Sequence, residues 1–221
     1  MEQRAGRGMG AALTVVAWVV ILASVSASVW FARELDRLGR GDLGSFSAAS
    51  WVLVLGISSA LVVGSALDWR RPEHPVGWLF LALSVSIATA GTIDGYAALG
   101  AVADPGRLPA ADVAAHVGDA TWIPWFVLVA MVLHLTPTGR PLSSRWARAA
   151  WVTCTAGVVA FVCTLLSTAP VDPPFEDVAN PMAIDSVAPL VDLGRAVGAT
   201  LVGLGLLVGA ASLVVRFRRS R

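Results

Sequence analysis

This sequence predicts an all-α integral membrane bundle of six transmembrane helices, and three observations predict it. Of 221 residues, 56% are hydrophobic and only 14% are charged, against about 25% charged in an ordinary soluble domain. The mean hydropathy is +0.72, too high for a chain of this length to cover itself with a water-facing surface. Six stretches with little or no charge each reach the roughly 20 residues that cross a 30 Å hydrocarbon core as a helix rising about 1.5 Å per residue.

The elements follow in order. A short tail, residues 1–10, carries Arg4 and Arg7. The first span is 11–32, "AALTVVAWVVILASVSASVWFA". A signal peptide cleaved near "VSA" (25–27) is its rival reading. A signal core runs to about 15 residues at most, and this run has 22, so a retained helix is expected. The second span is 48–69. The third, 77–100, carries one charge, Asp94. The fourth, 117–136, opens beside Asp119 and contains Pro124. A Pro/Gly/Pro turn then leads to Ser143 or Ser144 as the N-cap of the fifth helix, whose apolar part is 149–168. The sixth span, 196–215, is followed by a basic tail, 216–221.

Arginine placement sets the expected orientation, because cytoplasmic loops carry the excess of basic residues. With the N-terminus inside, 11 arginines fall inside and 5 outside. A multi-pass protein of the cell membrane with both termini cytoplasmic is therefore expected. The first loop, "RELDRLGRGD", runs against the rule with Arg33, Arg37 and Arg40. Trp30, Trp51, Trp69, Trp78, Trp146 and Trp151 fall near span ends, where an amphipathic ring prefers to sit. The longest loop, 170–192, holds five acidic residues, five prolines and no basic residue. It is read as a translocated, solvated connector, with a small ligand-capping element as the alternative.

Several function classes drop out. The net charge is +1 with no basic stripe, so no nucleic-acid partner is expected. Cys154 and Cys163 share one helix about 13.5 Å apart, too far to bridge each other. His74, His116 and His134 do not share a helix face at metal-ligand spacing. The GxG at Gly203–Gly205 lies inside an apolar helix, where backbone N–H groups are unavailable to a phosphate. No nucleophile has a base beside it. No catalytic, cofactor-binding or metal residue is assigned, and no cofactor is expected.

Three groups remain as candidates. Asp94 and Tyr96 end the third span, and His116 and Asp119 open the fourth. Ionisable groups at membrane depth are costly and point to function, so these four form a candidate sensing cluster. The competing reading is four hydrated groups at headgroup level. Gly194, Gly198, Gly205 and Gly209 repeat at GxxxG spacing, and Gly56, Ala60 and Gly64 follow every fourth residue. Small residues let helices approach closely in lipid. The four later glycines are either packing positions inside one bundle or the face of a homodimer. Arg216, Arg218, Arg219 and Arg221 form a cytoplasmic junction, each arginine contributing about 1 kcal/mol of attraction to an anionic leaflet.

Four stretches occur together in a familiar order: "RRPEHPVGWLF" (70–80), "GRLPAADVAAHVGDATWIPWF" (106–126), "LTPTGRPLSSRWAR" (135–148) and "SLVVRFRRSR" (212–221). They resemble the membrane-embedded N-terminal region of a group of actinobacterial sensor histidine kinases. That group reads Arg-Pro-x-Asn-Pro-x-Gly-Trp-Leu after its second helix and Phe-Pro-x-Gly-Arg-x-x-Ser-x-x-Trp-Arg after its fourth. Here His74 replaces the usual Asn, and Thr136 and Thr138 replace the residues around Pro137. The resemblance implies a sensory or anchoring module that passes a stimulus through the last helix to a cytoplasmic signalling partner or kinase domain. The family's phosphoacceptor and ATP-binding regions follow the point where this chain stops. No kinase residue is carried over, and the chain itself is expected not to be an enzyme. The alternative is a small transporter or lipid-handling protein, which needs a polar path through the bundle. The stimulus and the oligomeric state are not readable from the residues.

Overall fold

Seven α-helices and no strand make up the described part of the chain. The computed structural model describes residues 2–44 and 48–219, with side chains at 10–44 and 52–218. The helices are α1 (Glu2–Arg37), α2 (Ala48–Arg70), α3 (Pro75–Ala97), α4 (Ala111–Ala120), α5 (Trp122–Leu135), α6 (Ser144–Leu166) and α7 (Ala188–Arg219). A π-helical turn, Ala98–Ala103, continues α3. Counting α4 and α5 together, six helices are long and apolar enough to cross a membrane, as the composition requires.

The boundaries differ from expectation at three places, each for a local reason. The fourth span begins at Ala111 and is broken at Thr121. Pro124 has no N–H to donate to the carbonyl of Ala120. At the break, the Thr121 amide and hydroxyl both turn back to the Gly118 carbonyl, at 3.0 and 2.7 Å. Helix α1 runs 36 residues without interruption and takes in Arg33, Glu34 and Arg37, which the sequence reading placed in a loop. It stops at Gly39, φ +71°, where Arg40 N–H reaches the Leu35 carbonyl and Gly39 N–H the Asp36 carbonyl. This paired closure needs a left-handed residue, which glycine supplies at no steric cost. Helix α7 has 32 residues, about 48 Å of length, so it projects beyond a 30 Å core. Ser143 holds the N-cap position of α6 in an extended conformation, without a side-chain cap bond.

Helix α3 packs against both α1 and α2, and α7 against both α5 and α6. The two groups of three spans meet where α3 lies on α4 and α5. Lipid tails are as apolar as leucine, so close packing rather than water exclusion must hold such helices together. Glycine provides it between α2 and α3. A Cβ on Gly64 would stand 3.0 Å from the Leu81 amide, and one on Gly77 would stand 3.3 Å from the Asp68 amide. Outward faces carry Val15, Leu55, Trp69, Trp151 and Leu207, an apolar coat suited to acyl chains. The side chain of Trp51 lies outside the described residues.

Contacts between distant segments place the N-terminal part of α1 and the end of α7 at one end. Gly10 lies against Asp68 near the end of α2. His74 in the α2–α3 loop touches the α5–α6 loop, and Arg216 touches that same loop. The opposite, far end holds Phe31, Leu35 and Leu99, with Phe175 from the α6–α7 loop packed onto them.

Candidate functional site

The end of α5 sets a hydrogen-bond problem that the rest of the chain solves. A helix leaves its last four carbonyls without partners from its own ladder. In α5 these belong to Val132, Leu133, His134 and Leu135. The Thr136 amide donates to Val132 at 2.9 Å, and the Gly139 amide donates to Leu135 at 2.7 Å. Pro137 has no N–H for Leu133. The Ser212 hydroxyl of α7 donates there instead, at 3.3 Å. Arg216, one turn further along α7, donates through Nη2 to the His134 carbonyl at 2.9 Å. A guanidinium at a helix C-terminus also faces the negative end of the helix dipole.

The same guanidinium fastens the loop beyond. It donates to the Arg140 carbonyl at 2.6 Å and to the Thr138 hydroxyl at 2.7 Å. From the other side, His74 Nε2–H donates to the Pro137 carbonyl at 3.0 Å. Gly139, φ +74°, lies beneath Pro75, whose Cδ would be 2.9 Å from a Cβ placed there. The loop 136–140 is therefore gripped by the start of α3 and by the end of α7. Three of the four stretches that carry the resemblance, around residues 70–80, 135–148 and 212–218, meet at this one place. The sequence reading gave Arg216 to the lipid leaflet. The structure turns it inward onto α5, while Arg218 is exposed. Arg219 and Arg221 lie outside the residues whose side chains are described, as do Arg4 and Arg7.

One buried acid near this end escaped the sequence reading. Asp68 is 5% exposed and accepts a hydrogen bond from the Thr14 hydroxyl of α1 at 2.8 Å. One turn away, Trp18 Nε1–H donates to the Ser65 hydroxyl at 3.2 Å. A lone acid inside an apolar run was the available signal. The His134 ring, 1% exposed, lies against α7, its Cδ2 3.5 Å from where a Gly209 Cβ would stand.

The four candidate glycines of α7 all face partners in the same chain. A Cβ on Gly194 would meet Cys163 Sγ at 2.6 Å, and one on Gly198 the Ala156 carbonyl at 2.8 Å. Gly205 lies against Thr153, and a Cβ on Gly209 would stand 3.0 Å from Leu133 Cβ. Their surface is occupied by α6 and α5. On α2, a Cβ on Gly56 meets nothing within 4 Å. Cys154 and Cys163 are not bridged.

The four residues of the candidate sensing cluster lie at the far end and divide into two groups. Asp94 sits over Gly118, where a Cβ would be 2.6 Å from its Oδ1. Asp119 stands within electrostatic range of Asp94, of His116, and of Asp172 and Arg195 from the last third of the chain. The ring of His116 is buried, and its Nδ1–H donates to the Asp112 carbonyl at 3.0 Å. Tyr96 points elsewhere. Its hydroxyl donates to the Pro109 carbonyl at 2.7 Å, and its ring stacks edge-on against Phe31. Among the described residues no three His, Cys, Asp or Glu side chains gather as a metal site.

The fold and these contacts define a multi-pass membrane protein whose last helix is fastened to an interior loop as it leaves the bundle. No family model, curated protein or solved structure matches the chain.

Proposed function

We propose that this protein is a sensory or anchoring module of the membrane, of the kind that feeds a two-component histidine kinase. Its output is α7. The supporting observation is the cap that Ser212 and Arg216 place on α5. A helix that only anchored the chain in lipid would need no such fastening. Fastened there, any displacement between α5 and α3 is passed directly to residues 212–219. A stimulus acts on such a device through different affinities for two helix arrangements. In this reading the end bearing the N-terminal part of α1 and the end of α7 faces the cytoplasm, in line with the arginine excess there.

The test uses the native locus. The N-terminus is tagged, the membrane-borne product is sized, and a photocrosslinker is placed at position 218. A product that contains a histidine-kinase transmitter, or that crosslinks to one, supports the proposal. A product near 22.9 kDa that crosslinks only to lipid would sink it.

A further inference from the structure

At the far end, a cleft of about 650 Å³ opens between three separate elements. One wall is the π-helical turn after α3, with Gly100 and Val102. The floor is the α3–α4 loop. The other wall is the α6–α7 loop, with Pro174, Asp177 and Val178. The volume falls within the usual range of small-molecule sites, about 300–1,000 Å³.

The wall on the α3 side is held in an uncommon backbone. The π turn is a rare conformation found mostly at functional sites. Ala110 has φ +53°, a region that alanine seldom enters. Outside contacts hold this loop in place. Tyr96 holds the Pro109 carbonyl, and Arg107 reaches across to Glu34 of α1 at 2.7 Å. A Cβ on Gly100 would stand 2.7 Å from both Leu108 Cβ and Ala111 Cβ, so only glycine lets the turn and loop close.

The lining chooses the sign of a ligand. Two carboxylates, Asp112 and Asp177, border the cleft, and no arginine or histidine does. Arg107, the one arginine of the loop, is turned away to Glu34 and Asp104. Pro105, Pro109 and Pro174 also line the cleft and have no N–H to offer an anion. The C-terminal end of α3 adds the negative pole of its dipole. The opposing pole, at the start of α4, is partly quenched because Asp112 accepts the Val113 amide at 2.9 Å. The other lining side chains, among them Val102, Leu108 and Val178, are apolar.

We infer that this cleft binds a small organic cation, an ammonium group on a compact apolar body, with Asp112 and Asp177 facing the charge. Its walls are continuous with α3 and lead into α7, the two helices that grip the loop 136–140 at the opposite end. As the input of a sensor the cleft rests on the function proposed above. As a binding site it does not, and binding is what the experiment reads.

The full chain is reconstituted in phosphatidylcholine nanodiscs and titrated calorimetrically with benzylamine, with empty nanodiscs subtracted. Benzyl alcohol is the neutral counterpart. Saturable benzylamine binding is expected, at least tenfold tighter than benzyl alcohol. The double variant Asp112→Asn, Asp177→Asn should weaken benzylamine at least tenfold and leave the alcohol unchanged. Val178→Trp, which fills the cleft and keeps both acids, should abolish binding, and it decides the matter if the double variant does not fold. Absence of saturable heat, equal affinity for amine and alcohol, or unaltered binding by Val178→Trp would each overturn the inference. A chain that binds benzylamine yet crosslinks to no transmitter would keep the site and remove the sensor reading.

Discussion

Replacing Arg216 by Ala separates a fastened output helix from a merely anchored one. The substitution leaves the His134 carbonyl without its donor in a part-buried position. A hydrogen bond to a charged group contributes about 1.5–3 kcal/mol. The bonds to Thr138 and Arg140 are exposed and add little, because water replaces them. A loss of about 2–3 kcal/mol is therefore expected. For a domain of this size each kcal/mol lowers Tm by about 2–4 °C, giving about 4–12 °C in a thermal unfolding scan of the detergent-solubilised chain. Arg216→Lys should recover less than half of the loss, since an ammonium cannot spread its donors over three acceptors as the guanidinium does. Ser212→Ala should couple to Arg216→Ala in a double-mutant cycle, because both groups cap one helix end. If Arg216→Ala shifts Tm by less than about 1 °C, the side chain belongs to the leaflet and the fastening argument is wrong.

Other outcomes follow from the same geometry. Gly198→Ala should destabilise by about 1–3 kcal/mol, because its methyl meets backbone atoms of Ala156 and Ala160 at 2.8–2.9 Å; Gly203→Ala, with nothing within 4 Å, should be neutral or stabilising in the same scan. Thr14→Val removes the donor to buried Asp68 and should cost about 1–3 kcal/mol, while Asp68→Asn in that background should restore part of the loss. Tyr96→Phe frees the Pro109 carbonyl, so amide exchange across residues 104–110 should quicken while α7 is unchanged. Gly118→Ala pushes on Asp94 at 2.6 Å, and Asp94→Ala should suppress that effect if the two are in contact.

The legibility of the site tracks how local each signal was. Pro124 was visible inside the fourth span, yet the break at Thr121 was not expected, because it depended on which carbonyl the freed groups found. Asp94 and Asp119 were read together and lie within range of one another. Tyr96, two residues from Asp94, was read with them and instead secures the α3–α4 loop. Spacing along a helix says which residues share a face, and a neighbouring loop then chooses among them. The glycines of α7 read equally well as an internal or an external face, because small size describes what can approach without saying from which side.

The amino-acid sequence alone determined the class of molecule, the number of spans and their approximate places. Those follow from the transfer of long apolar runs out of water, which each stretch carries by itself. Tertiary structure alone decided that Arg216 turns inward. An arginine beside a membrane end can serve the leaflet or an unpaired carbonyl, and Pro137, which has no N–H, leaves the Leu133 carbonyl open to Ser212, 79 positions beyond Leu133. A hydrogen-bond vacancy is written locally, but its occupant is fixed only when distant helices meet.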